Sequence, residues 1–265
     1  MMISQFWFRA WLIVAVCFFL VSCSGDASSS EASVPIRIGV DDSSRETANV
    51  VVNSFETKNS EQLAYVTVQN RTPLLTALQN GELDCIFVLG ESSLTEHFRV
   101  PVAHLDIMFI ANMNLGISEL TYDEVVGIFK GEIGNWQVVS GVNLPIQIIS
   151  YPAFSSEQVA FDALGISSPP SNALIGTSTE DVIRLAASEP GAVGFVYGSP
   201  PVNTVSVLTI SYSDSFGPLG LTQTRLPQIP IMFVSLKEPS GDQHTLLDLA
   251  LNPDTQNQLE SGLNK

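Results

Sequence analysis

From residue 36 onward the chain alternates short apolar, β-branched runs with amphipathic stretches of about a dozen residues, and this alternation restricts the fold more than any other feature. Strands are expected at 36–40, 63–68 and 83–89, with the last apolar throughout, as befits a strand covered on both faces. Helices are expected at 45–58, where Val51, Val52 and Phe55 share a side, and from Thr72-Pro73 to Gly81, with threonine as cap and proline at the first helical position. The pattern then restarts, with strands at 107–112, 144–151 and 192–196 and helices at 121–130, 155–164 and 179–188. A strand at 232–236 and helices at 243–252 and 254–263 close the chain, and no fixed-period repeat is present. Strands separated by crossover helices imply an α/β architecture. Two successive blocks followed by a strand–helix return imply two lobes with a cleft between them, a common place for a ligand.

The helix at 121–130 carries the clearest local signals. Thr121 and Glu124 form a capping box, Val125, Ile128 and Phe129 make one apolar face, and Lys130 and Gly131 mark the stop.

The N-terminus is of another kind. The 45% hydrophobic content and mean hydropathy of +0.25 are high for a secreted protein, and the first twenty-odd residues inflate both. Arg9 precedes an apolar run at 11–21, too short and wrongly flanked for a membrane span and ordered like a secretory signal. Leu20-Val21-Ser22-Cys23 resembles the bacterial lipobox, which implies a signal over 1–22 and a lipidated Cys23. An ordinary signal peptide or an uncleaved anchor are the alternatives. Residues 23–35 read as a polar tether, whose Ser/Gly-rich stretch would span roughly 20 Å as a coil. Several acyl chains would hold Cys23 in a bilayer at about 0.8 kcal/mol per buried methylene. Cys85 stands alone in an apolar run and reads as a small buried hydrophobe.

The net charge is −16. Nucleic acid needs a basic face, so it is not an expected partner. His97, His104 and His244 lack metal-ligand spacing, and no Gly-x-Ser-x-Gly, phosphate loop or Cys–His arrangement is present. A non-enzyme without cofactor is expected, and an enzyme on the same fold is the weakest alternative.

LTYDEVVGIFKGEIGNW at 120–136 closely resembles a signature of the phosphate-binding proteins that feed ABC importers. GELD at 81–84, EPGAVGFV at 189–196 and LPQIPIMFV at 226–234 are similar to further motifs of that family, in the family's order. The resemblance covers nearly all of the chain after the tether. It implies a two-lobed periplasmic-binding-protein-like fold of type II, with mixed sheets flanked by helices. Lobe one would comprise 36–108 and 225–265, and lobe two 109–224. It also implies hinge closure on a small oxyanion, phosphate first, delivery to an ABC permease, and a monomer exported to face the periplasm or cell exterior. Trp136 would be core filler in lobe two.

In such a fold the ligand meets helix N-termini, whose free amides favour negative charge. The candidates are Asp41, Ser43 and Ser44 after the first strand, Arg71 and Thr72 after the second, and Tyr151, Ser155 and Ser156 in the loop near 151. Their hydroxyls would equally cap helices with no ligand present. Arg71 is the best cation for gripping an oxyanion through two donors.

Departures from the family pattern concern the ligand. The family carries an arginine where this chain has Tyr151, then Ser-Gly-Thr where it has Ser155, Ser156 and Glu157. The family's buried aspartate, which accepts a proton from monohydrogen phosphate, would fall near Leu89, where the nearest acids along the chain are Asp84 and Glu91. An ionised Glu157 would compete with phosphate for its helix end. Two charges about 4 Å apart repel by about 4 kcal/mol at an effective dielectric of ~20, close to a thousandfold in affinity. The alternative is a binding or sensory module on the same scaffold with an altered or lost ligand.

Overall fold

The structure, a computed structural model, describes residues 34–265 apart from 61, 92–93, 163–164, 166–169, 199–202, 212–227 and 264–265. The expected signal, Cys23 and most of the tether lie outside the described residues. Along the chain come β1 (Ile36–Val40), α1 (Arg45–Lys58), β2 (Ala64–Val68), α2 (Arg71–Gln79), β3 (Cys85–Leu89) and β4 (Phe98–Leu105). These are followed by β5 (Ile107–Ala111), β6 (Glu119–Thr121), α3 (Tyr122–Phe129), α4 (Gln137–Ser140), β7 (Gln147–Ser150) and α5 (Ser156–Asp162). The remainder is β8 (Leu174–Ile175), α6 (Thr179–Ser188), β9 (Ala192–Tyr197), β10 (Ser206–Ser211), β11 (Ile229–Ser235), α7 (Asp242–Ala250) and α8 (Pro253–Leu263).

The strands form two mixed sheets. The first is five-stranded, ordered β2-β1-β3-β11-β4, and the second six-stranded, ordered β6-β10-β5-β9-β7-β8. In the first, β1 runs parallel to β2 and β3, while β11 returns antiparallel between β3 and β4. The chain leaves this sheet at Leu105 and enters the next at Ile107, so Asp106 alone joins them. Asp106 is anchored from both sides: Gly198 N donates to its carbonyl at 3.0 Å and Gln228 Nε2 to its carboxylate at 3.0 Å. Gln228 directly precedes the returning strand β11, so the crossings between sheets are tied at one point.

The local chemistry explains most elements. Thr121 caps α3, with Glu124 N donating to its hydroxyl at 3.2 Å and Thr121 N donating to the Glu124 carboxylate at 2.7 Å. Val125, Ile128 and Phe129 are buried, and Gly131 (φ +75°) makes the left-handed exit that glycine permits. Trp136 is wholly buried and its Nε1 donates to the Gly191 carbonyl at 3.0 Å. Gly191 is required there because an added Cβ would lie 2.1 Å from the Pro145 carbonyl oxygen. Around this point Phe109, Phe129, Phe161, Phe195 and Tyr151 form one aromatic core, with Phe161 stacked on Phe195 at 3.9 Å. Asp84, from the GELD motif, pairs with Arg37 at 2.7 Å, and Cys85 is buried in the first lobe's core.

Some elements depart from the sequence reading. Helix α2 starts at Arg71 with Asn70 as its cap, so Thr72 is not the cap and Pro73 is the third helical residue. Proline is tolerated there because the first turn's amides have no partner within the helix. Strand β4, which contains Pro101, is not among the expected strands. It sits on the sheet edge, where a missing amide breaks no inner ladder, and its register with β11 shifts at that point. Strand β2 also lies on an edge and leaves Tyr65, Val66 and Val68 exposed.

Candidate functional site

The site is built where β1 ends. Two turns of chemistry follow from Asp41 and Asp42, which point apart. Asp41, 1% exposed, turns inward. It accepts from Ser44 N at 2.9 Å and from Leu89 N, at the end of β3, at 2.7 Å. Asp42 reaches instead to the second lobe and accepts from Thr179 N, the first residue of α6, at 2.8 Å. An acid at a helix start is favoured by the free amides and the dipole, so the first lobe caps a helix of the second.

The second lobe returns the same contact. Glu157, in the first turn of α5, is 3% exposed, and its carboxylate Oε1 accepts from Ser43 N at 3.3 Å and Ser43 Oγ at 2.7 Å. Ser43 stands just ahead of α1. Tyr197 holds the base of this residue, its hydroxyl donating to the Glu157 carbonyl at 3.1 Å. Arg71, 2% exposed, lies at the start of α2 and donates to the Leu89 carbonyl at 2.8 Å and, at 3.3 and 3.4 Å, to that of Gly90.

Burial dominates the electrostatics. It raises the pKa of Asp41 above the usual carboxylate range, opposed by the hydroxyls of Ser156 and Ser44 and the amides of Leu89 and Ser44. Glu157 is pushed up to about 7, first by burial and then by the neighbouring Asp41 charge. Burial lowers the Arg71 pKa while Asp41 and Glu157 raise it. A guanidinium keeps its charge under such pressure. The Ser44 and Ser156 hydroxyls are fully buried beside Asp41, close enough to favour its ionised form yet without a well-formed hydrogen bond.

Of the residues singled out in the sequence, Asp41, Ser43, Ser44, Arg71 and Ser156 converge here. Ser155 is buried and its hydroxyl accepts from Gln158 N at 3.1 Å, which makes it the cap of α5. Tyr151 packs its ring on Phe195 at 5.3 Å and directs its hydroxyl to Thr179 Oγ1 at 3.4 Å. Thr72 is exposed and lies outside the buried cluster, in a helix that starts earlier than expected. Cys23 lies outside the described residues. The sequence also understated Glu157, whose carboxylate engages the other lobe's donors as well as its own backbone amide. The acid expected near Leu89 arrives from β1, as Asp41, rather than from Asp84 or Glu91. Among the described residues, no group of three or more His, Cys, Asp or Glu is placed to hold a metal.

Comparison with known proteins agrees with this architecture. A family model described as the PBP superfamily domain matches residues 26–232. Phosphate-binding protein PstS of Bacillus subtilis (strain 168) is 26% identical over 109 residues, covering 41% of this chain and 35% of that protein. The match thus spans about a third of that curated relative's length. Among solved structures, a putative phosphate ABC transporter substrate-binding protein with bound phosphate from Clostridium perfringens superposes with a TM-score of 0.76 at 18% identity, over 87% of this chain and 98% of its own. An ABC-type phosphate transport receptor from Vibrio cholerae gives 0.69 at 18% identity, over 86% and 98%. At these identities the superpositions speak for the fold, while the family match runs from before β1 into the returning strand β11. By fold and by sequence, this chain belongs to the PBP superfamily.

Proposed function

We propose that this protein is an exported, lipid-anchored receptor that captures a small oxyanion, phosphate first, between its lobes and delivers it to an ABC permease. The observation that carries the reading is the Ser43 amide and hydroxyl, both engaged by a carboxylate oxygen at the start of α1. A helix start with converging N–H and O–H donors is an anion site by its chemistry. Two further features support phosphate. Arg71 supplies a buried positive charge, and Asp41 brings an acid to Leu89, where the family resemblance implies a proton acceptor for the ligand. The cleft lies between lobe one (36–108 and 225–265) and lobe two (109–224), Cys23 carries the lipid, and the receptor acts as a monomer. Binding and release suffice for this role, and no covalent step is involved.

A second reading, a sensory module with an altered or lost ligand, is favoured by one observation: Glu157 already holds the Ser43 donors. Titration calorimetry with phosphate, sulfate and molybdate separates the two. Saturable heat with phosphate supports the receptor. Silence with all of them at both acidic and neutral pH, in folded protein stripped of carried-over ligand, removes it.

A further inference from the structure

Glu157 is buried between the lobes with its carboxylate on a donor pair belonging to the opposite lobe. The contact is reciprocal, since Asp42 of the first lobe holds Thr179 N of the second at 2.8 Å. Around the Glu157 carboxylate stand Asp41 and Asp42 from the turn after β1, Arg71 from α2, and Tyr151 and Tyr197 from the second lobe. Burial raises the pKa of both tyrosines, so Arg71 is the cation among these neighbours. The Ser44 and Ser156 hydroxyls, fully buried beside Asp41 without a well-formed bond, are further polar groups of this cluster. An oxyanion arriving here meets the Ser43 donors already taken by the Glu157 carboxyl.

We propose that Glu157 is a tethered competitor: a carboxylate of the second lobe that occupies the first lobe's anion donors, so that an oxyanion binds only when this carboxylate is neutral or displaced. The inference rests on the oxyanion reading above and adds its regulation. Two anions on one donor pair repel in a poorly hydrated site, whereas a neutral carboxyl removes that repulsion and yields the Ser43 donors to the ligand. The Glu157 pKa, pushed up to about 7 by burial and Asp41, puts this change near neutrality. Capture is therefore strongest on the acid side and weakens as pH rises.

The test compares the full chain with E157Q, which keeps the side-chain shape and removes the charge. Phosphate affinity is measured by calorimetry from about pH 5.5 to about pH 8.5. Phosphate's own ionisation is common to both proteins and cancels in the ratio of their affinities. At about pH 8.5 a group titrating near 7 is only ~3% protonated, so E157Q should bind ~30-fold more tightly than wild type. At about pH 5.5 the two should agree within about twofold. E157T, the residue that the family pattern carries here, is the second variant and should follow E157Q; melting temperatures report whether each variant folds. A constant affinity ratio across the pH range, in whichever variant folds, overturns the proposal and leaves the oxyanion receptor standing. Absence of phosphate binding in all the proteins at every pH overturns the receptor reading and this proposal together.

Discussion

Raising the pH from about 4.5 to about 8 should destabilise this protein through Glu157, independently of any ligand. The carboxyl is 3% exposed and its pKa stands at about 7 in the fold against 4.5 for the free group. Between these values the native state holds a proton that the unfolded chain has released, so stability falls as pH rises. The contribution is fully present below about 4.5 and is lost as pH climbs through about 7. A displacement of this size corresponds to about 3 kcal/mol, a large part of the stability of an ordinary domain. Asp41, raised in the same direction, titrates together with Glu157, so the measured midpoint belongs to the pair. Urea denaturation of wild type and E157Q, repeated at intervals of pH, reads the difference directly. Trp136 is wholly buried in the second lobe and serves as the fluorescent reporter. Relative to E157Q, wild type should lose about 3 kcal/mol across the window. A gap that stays flat from about pH 5 to about pH 8 would show that the carboxylate is not held in a desolvated, acid-lined site, and the reasoning would fail.

Further outcomes follow from the same contacts. Arg71→Met leaves Asp41 and Glu157 without their buried cation and should cost ~3–5 kcal/mol near pH 8. The loss should shrink near pH 5, where Glu157 is neutral; equal urea midpoints for R71M and wild type at pH 8 would contradict the assigned charge balance. Gly191→Ala forces a Cβ to within 2.1 Å of the Pro145 carbonyl oxygen, beside the bond from Trp136. It should lower the melting temperature by at least several degrees, as expected for about 2 kcal/mol or more in a domain of this size. Unchanged melting would mean that β9 does not pack against that carbonyl.

Much of the fold was legible because its causes are local. The α3 capping box closes over three residues, and Gly131 ends that helix through its own backbone freedom. Thr179–Ser188 is helical over the span that its pattern suggests, capped by Ser178, whose hydroxyl accepts from Asp181 N. Where the reading missed, a nonlocal circumstance prevailed. The expected strands did not include β4, which carries Pro101 and lies on the sheet edge. Nothing within the eight residues of β4 records that position.

The amino-acid sequence alone determined the alternating α/β elements, the two-block order and the identity of the polar residues available at the strand ends. Each of these depends on periodicity, capping or turn chemistry acting within a few residues. The tertiary structure decided which of those groups meet. Asp41 and the Leu89 amide are 48 positions apart, and Glu157 and Ser43 are 114 apart. Neither pairing has a local signal: the first arises when β1 and β3 pair in one sheet, the second when the ends of the two sheets meet. That contact buries an acid at a helix start against the donors of the other lobe.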